Sequence, residues 1–353
     1  MLDRITSLDE LAQRLPGFQA TDAMRRAAER YPFAITAHYL SLIEEPSPTD
    51  PIFRQAVPDG DELSESGNLS PDELGEFSRY SPVYRLIHRY PDRVVCIATA
   101  LCPTYCRHCT RKRLVGRAEF ELSSADLEHQ VEYVRARPGI KDVIISGGDP
   151  LSLSTARLEG ILARFRKIPG VEIIRVGTRA PVTAPARVDE ALCRMLAKYH
   201  PVWVNTQFNH PREVTSASAT ACARLLRHGI PVGNQSVLLR GVNDSPPVME
   251  ALCRALLRIR VRPYYLFQCD PVAGAEHFRT PISCGVDIMR HLHRNVGGLG
   301  VPRFAVDAVD GGGKVPIDPS YVIEHKKGRL VLRNFEGETV TYPDAAPDCS
   351  AES

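Results

Sequence analysis

From Val94 onward, runs of β-branched residues are each followed, at near-regular intervals, by a polar stretch rich in Leu and Ala. Strands are expected at residues 94–100, 143–146, 171–177, 202–208, 232–239 and 263–268. Helical periodicity fills the intervals at 124–137, 155–167, 188–199, 217–228, 247–260 and 285–296. Parallel neighbours need crossover helices, so six such units in series imply a parallel sheet, and six curved strands make most of a barrel. The expected class is α/β, a partial (β/α)6 barrel of the TIM type. A further strand is expected at 303–306, and 328–333 with 338–342 reads as a short hairpin. Catalytic groups in such barrels sit just past the C-terminal ends of the strands.

Residues 1–93 carry helical periodicity broken by a Pro-, Asp-, Glu- and Ser-rich stretch at 46–71, and read as an N-terminal helical extension. Residues 94–300 then form the barrel and 301–353 a C-terminal segment. The length, 353 residues, suits either two average domains or one α/β barrel. Basic and acidic side chains, 44 and 42, nearly cancel, so no global field argues for nucleic acid or an anionic membrane. The longest apolar stretch, 94–101, falls far short of the roughly 18–20 residues of a membrane span. Residues 1–15 alternate acids and bases and lack the apolar core of a signal peptide, so a cytoplasmic location is expected. In a reducing compartment, clustered thiols among the ten cysteines point to metal or catalysis rather than disulfides.

Cys102, Cys106 and Cys109 stand as C-x3-C-x2-C directly after the first barrel strand. Thiolates are natural ligands of iron–sulfur clusters and zinc, and a closed structural site takes four, so three leave a position open. Structural zinc would need a fourth ligand, for which His108 lies unhelpfully between two cysteines. Cys96, Cys193, Cys222, Cys253, Cys269, Cys284 and Cys349 are isolated and expected to act mostly as small buried hydrophobes. Gly147, Gly148 and Asp149 follow the second strand, either as a close backbone approach to a ligand or as a turn capped by Asp149. Asp270 and Asp307 each follow a strand and should face one cavity, where paired carboxylates could hold a distant ammonium or simply cap turns. Lys314 follows three glycines; Ala308 and Val315 exclude a phosphate-cradling loop. A lysine on a flexible glycine run can instead form a Schiff base with pyridoxal phosphate.

The cysteine loop after the first strand of a partial barrel resembles the radical S-adenosylmethionine enzymes. CRHCTRKRLVG, SGGDPL, GTRAPV, FNHP, GNQSVLLRGVND, EHFRTP and DGGGKVP, in collinear order over residues 35–322, look like the lysine 2,3-aminomutase family. The resemblance implies a 4Fe-4S cluster on the three cysteines, its unique iron chelating S-adenosylmethionine, which yields a 5'-deoxyadenosyl radical. It implies that Gly147, Gly148 and Asp149 contact S-adenosylmethionine, that Lys314 carries pyridoxal 5'-phosphate, and that Arg89, Arg93 and Gln235 line that cofactor's site. It implies further that Arg111 binds the substrate α-carboxylate and that Asp270 and Asp307 recognise the substrate side chain. The expected activity is an isomerase moving the α-amino group of L-lysine to Cβ, with an external one-electron reductant as partner; a homo-oligomer is compatible with this. Ser245 stands where the clostridial type has a zinc-binding cysteine, so structural zinc is not expected. Gln207, Phe267 and Asp310 also depart from that type. A third carboxylate at Asp310 would suit a guanidinium, which keeps arginine 2,3-aminomutase open as a second reading. A non-enzymatic iron–sulfur electron carrier is the alternative from another class.

Overall fold

The computed structural model describes residues 3–64, 69–117, 119 and 121–345; Cys349 lies outside them. The expected strands form as β2 (Arg93–Thr99), β3 (Asp142–Gly147), β4 (Ile173–Gly177), β5 (Val202–Thr206), β6 (Val232–Leu238), β7 (Arg262–Gln268) and β8 (Arg303–Ala308), each parallel to the next. The sheet has nine strands, because an antiparallel strand closes each edge: β1 (Leu86–Tyr90) beside β2, and β9 (Gly313–Pro316) beside β8. Spatial order follows sequence order throughout. Neither edge strand was visible in the sequence. HRYPDR and GGGK carry arginines, glycines and a lysine where strand patterning needs alternating apolar residues.

The crossover helices are α1 (Ser124–Arg135), α2 (Thr155–Arg166), α3 (Glu190–Ala197), α4 (Ser216–Arg227), α5 (Pro246–Arg258) and α6 (Ile282–Asn295). Their starts are written locally: Ser123 and Thr215 make reciprocal caps with Asp126 and Ser218, and Pro246 opens α5. Leu158, Leu162, Leu192, Leu225, Leu256 and Leu292 of these helices are buried in the same core as Val143, Ile145, Ile174, Val176, Val204 and Phe304 of the strands. Each such side chain contributes on the order of 1.5–3 kcal/mol, so the helix-covered side of the sheet carries the stability. The opposite side is left for chemistry.

The N-terminal extension is less helical than its periodicity suggests. Its helices are short (Leu8–Arg14, Asp22–Arg30, Ala37–Leu40 and Pro51–Ala56), and Arg4–Ile5 pairs antiparallel with Ile35–Thr36. It is pinned to the barrel by polar contacts, among them Arg54 to the carbonyls of Arg240 and His277 at 2.9 and 3.1 Å. The C-terminal hairpin gains a third strand, Val322–Lys326, beside Arg329–Arg333 and Thr339–Pro343. Its alternation is obscured because both of its faces are largely exposed. Among the described residues, no helix is long and apolar enough to cross a membrane.

Candidate active site

The loop that leaves β2 carries the three cysteines, and its base is fastened to the exit of β3. The Gly148 amide donates to the Thr99 carbonyl and the Asp149 amide to that of Leu101, both at 2.7 Å. Only glycine fits here: a Cβ on residue 148 would lie 2.4 Å from the Leu101 oxygen. The Asp149 carboxylate accepts from the Leu151 amide at 2.9 Å, the Thr178 hydroxyl at 2.6 Å and the Arg179 amide at 2.8 Å. It is a cap, and it also ties the loop after β3 to the loop after β4. Burial pushes its carboxyl pKa up against these donors.

From outside, the cysteine loop is clamped by Glu62 of the extension. Arg107 meets both Glu62 oxygens at 2.8 and 2.6 Å, and Lys112 donates to one of them at 2.7 Å. From inside, Arg179 donates through Nη1 to Cys106 Sγ at 2.8 Å, and the Arg111 amide donates to Cys109 Sγ at 3.3 Å. Arg179 is buried and reaches Gln55 at 2.7 Å and Glu213 at 2.6 Å as well. It went unnoticed in the sequence although it stands in GTRAPV just past β4, where a barrel places its working residues.

Burial, reinforced by Asp149 and the neighbouring thiols, holds the Cys102 thiol well above its ordinary pKa, and burial together with Cys106 raises Cys109 to about 11. Metal binding at this loop therefore has to displace protons. Among the described residues, no three His, Cys, Asp or Glu side chains converge on one metal ion. A cubane distributes its cysteines over three irons, so its ligands need not meet at a point. Three cysteines on one loop, with guanidinium and amide donors already aimed at two sulfurs, fit an anionic iron–sulfur cluster. His108 turns elsewhere, edge-on to Phe278 and 3.1 Å from the Gln207 amide.

At the other side of the mouth, the β8–β9 register sets Lys314 directly across from Asp307. The ammonium donates to Asp307 at 2.7 and 3.0 Å, and Arg89 lies 3.6 Å from the same carboxylate. Phe267 places its ring 4.6 Å from the Lys314 nitrogen and stacks on Tyr265. Tyr90 accepts from the Lys314 amide at 2.7 Å, and Arg93 stacks on Tyr90 at 3.7 Å while pairing with Asp92. Gln235 sits opposite Tyr265 in the β6–β7 register, half-buried. A primary amine near Arg89 and a stackable ring, with Arg93 one residue further out on Tyr90, suits a planar aldehyde phosphate. Burial and the nearby Asp307 raise Asp270 to about 7, against the pull of Lys314 and Arg89. The glycines before Lys314 have a steric role beyond flexibility: a Cβ on Gly311, at φ +76°, would come 2.0 Å from the Tyr80 ring.

A polar strap, residues 69–81, joins the two sides. Arg113 pairs with Asp72 at 2.7 Å, Arg89 donates to the Leu74 carbonyl at 2.7 Å, and Tyr80 donates to the Gly311 carbonyl at 3.2 Å. Arg111 is engaged by Glu76 through two hydrogen bonds, Nε at 2.8 Å and Nη2 at 2.6 Å. Glu76 in turn is among the charges acting on Asp270, along with Asp307, Lys314 and Arg89. Glu76 and Asp270 line one small cavity with Arg113, so the Arg111–Glu76 pair beside the cysteine loop lies close to Asp270. Asp310, which the sequence offered as a third carboxylate, is exposed and contacts the strap through its backbone. Strap residues have no periodicity, so Glu76 gave no signal in the sequence.

Residues 96–251 match a family profile described as the Radical SAM superfamily, and residues 289–353 match one described as Lysine-2,3-aminomutase. The L-lysine 2,3-aminomutase of Clostridium subterminale is 45% identical over 99% of this chain and 85% of its own length. That of Acetoanaerobium sticklandii is 46% identical over 97% and 83%. The glutamate 2,3-aminomutase of Clostridioides difficile is 39% identical over 97% and 81%. Among solved structures, Streptococcus suis SuiB bound to S-adenosylmethionine aligns with a TM-score of 0.47 at 12% identity, covering 63% of this chain and 52% of that one.

Proposed function

Because the chain belongs to the lysine 2,3-aminomutase family of radical S-adenosylmethionine enzymes, we propose that it moves the α-amino group of L-lysine to Cβ, giving β-lysine. The observation that supports the choice of substrate is a pair of carboxylates, Asp307 in contact with Lys314 and Asp270 close enough to feel both charges, with the guanidinium of Arg111 held by Glu76 on the cavity that Asp270 also lines. A guanidinium for a carboxylate at one end and two carboxylates for an ammonium at the other describe a basic amino acid.

Cys102, Cys106 and Cys109 would hold the 4Fe-4S cluster, Gly147, Gly148 and Asp149 would border S-adenosylmethionine, and Lys314, Arg89, Arg93 and Gln235 would hold pyridoxal phosphate. The cluster with S-adenosylmethionine supplies a one-electron route to hydrogen abstraction at Cβ, and pyridoxal phosphate supplies a carbonyl for the migrating nitrogen. Arg111 binds the α-carboxylate in two-pronged fashion. Asp270 and Asp307 hold the ε-ammonium, Asp307 being released from its ion pair once Lys314 carries the cofactor. The low exposure of Arg111 and Asp307, 18% and 8%, limits screening by water and so strengthens their charge pairs. Two acids facing the distal end repel a glutamate side chain. The exposed position of Asp310 removes the reason to prefer arginine.

The test is product analysis with lysine, arginine, ornithine and glutamate on reconstituted, reduced enzyme. β-Lysine is expected to dominate; turnover of arginine or glutamate alone would overturn the assignment. Asp270→Asn is expected to raise KM for lysine about a hundredfold, the scale of removing one partner of a buried charge pair. Asp270 in the free enzyme protonates as pH falls through about 7. The wild-type KM for lysine should therefore rise below that pH, and the rise should vanish in Asp270→Asn.

A further inference from the structure

We propose that Glu76 is a positioning residue that presents Arg111 to the substrate, on the reading of Arg111 as the carboxylate ligand given above. A guanidinium has a side edge, formed by Nε and one Nη, and an end edge formed by the two Nη groups; each can grip a carboxylate with two parallel hydrogen bonds. Glu76 takes the side edge with both oxygens, at 2.8 and 2.6 Å. The end edge keeps one proton on each Nη, and among the described residues the hydrogen bond of Nη1 is a long one to the Gly147 carbonyl, at 3.4 Å. That free edge is the one a substrate carboxylate can take while Glu76 stays in place.

Glu76 is itself held. Its amide donates to Asp72 at 3.0 Å, the same carboxylate receives the amides of Phe77 and Ser78, and Arg113 pairs with it at 2.7 Å. Arg111 and Glu76 side chains are 18% and 13% exposed, so solvent does little to screen the pair. A long arginine stem is floppy when unpaired, and fixing it before substrate arrives transfers that entropy cost from binding to folding. If Glu76 were instead a stand-in for substrate, it would have to leave the guanidinium before the carboxylate could bind.

Glu76→Gln holoenzyme separates these outcomes. Positioning predicts KM for lysine about tenfold higher with kcat nearly unchanged, and a matching fall in calorimetric affinity for lysine measured without reductant. Lysine methyl ester, which lacks the carboxylate charge, should bind wild type and variant equally. Glu76→Asp, which keeps the charge on a shorter stem, should fall between and guards against a variant that does not fold. Unchanged or improved lysine affinity, or equal losses for lysine and its ester, would overturn the proposal. Arg111→Lys separates its failure from that of the underlying reading. If that variant leaves lysine binding intact, Arg111 is not the carboxylate ligand. If it weakens lysine binding while Glu76→Gln does not, only the positioning role fails.

Discussion

Lys314→Ala is expected to abolish the visible absorbance of bound pyridoxal phosphate and to lower turnover by more than about a thousandfold, as loss of a covalent catalytic group does. The same variant should keep its iron and still cleave S-adenosylmethionine slowly in the presence of reductant. Lys314 lies on β9 and contacts Asp307, Phe267 and Tyr90, whereas the thiols are fixed by Arg179 and the Glu62 clamp. Lys314→Arg is the sharper control. It retains a cation for the buried Asp307 carboxylate, so its Tm should stay near that of wild type, yet it cannot form the imine. Retention of the cofactor's absorbance in either variant would remove Lys314 from the site.

Cys106→Ser is expected to reduce bound iron and sulfide and to bring 5'-deoxyadenosine formation to background, because hydroxyl oxygen is a poor substitute for thiolate on iron. Arg179→Gln acts one step further out. It loses the charge beside Cys106 and leaves the buried Glu213 without its opposite charge at 2.6 Å, held only by neutral donors such as the Tyr39 hydroxyl and the His210 amide. A loss of about 10–100-fold in activity, with partial retention of iron, is the usual scale for a ligand's supporting group. Full iron content and full 5'-deoxyadenosine yield in Cys106→Ser would mean that the cluster is carried elsewhere.

The barrel was legible because its strands are buried on one face against amphipathic helices, which writes two distinct periods into the chain. Cys102, Cys106 and Cys109 were legible because three thiols lie within eight residues on one loop. Asp270, Asp307 and Lys314 could be placed by their positions after strands and glycines. What could not be read were pairings between residues far apart in sequence. Glu76 meets Arg111 across 35 residues, and Arg179 meets Cys106 across 73. Edge strands β1 and β9 were invisible for another reason: β1 has only Leu86 and Ile87 as apolar residues before HRY and β9 is Gly, Lys, Val and Pro, so the apolar alternation that betrays a strand is missing. The glycines before Lys314 were read as flexibility, while part of their role is to make room for Tyr80.

The first and last strands of the sheet meet through the Tyr90 hydroxyl and the Lys314 amide, and Arg89 of the first strand reaches on to Asp307 of β8. A wall zipped by a backbone ladder would have to be torn strand by strand to admit anything, whereas a wall buttoned by a few polar groups parts for about 0.5–1.5 kcal/mol per button. The fastening and the lysine proposed to take the vitamin lie on one short strand. Loading the enzyme can therefore undo a local latch and leave the helix-backed scaffold intact.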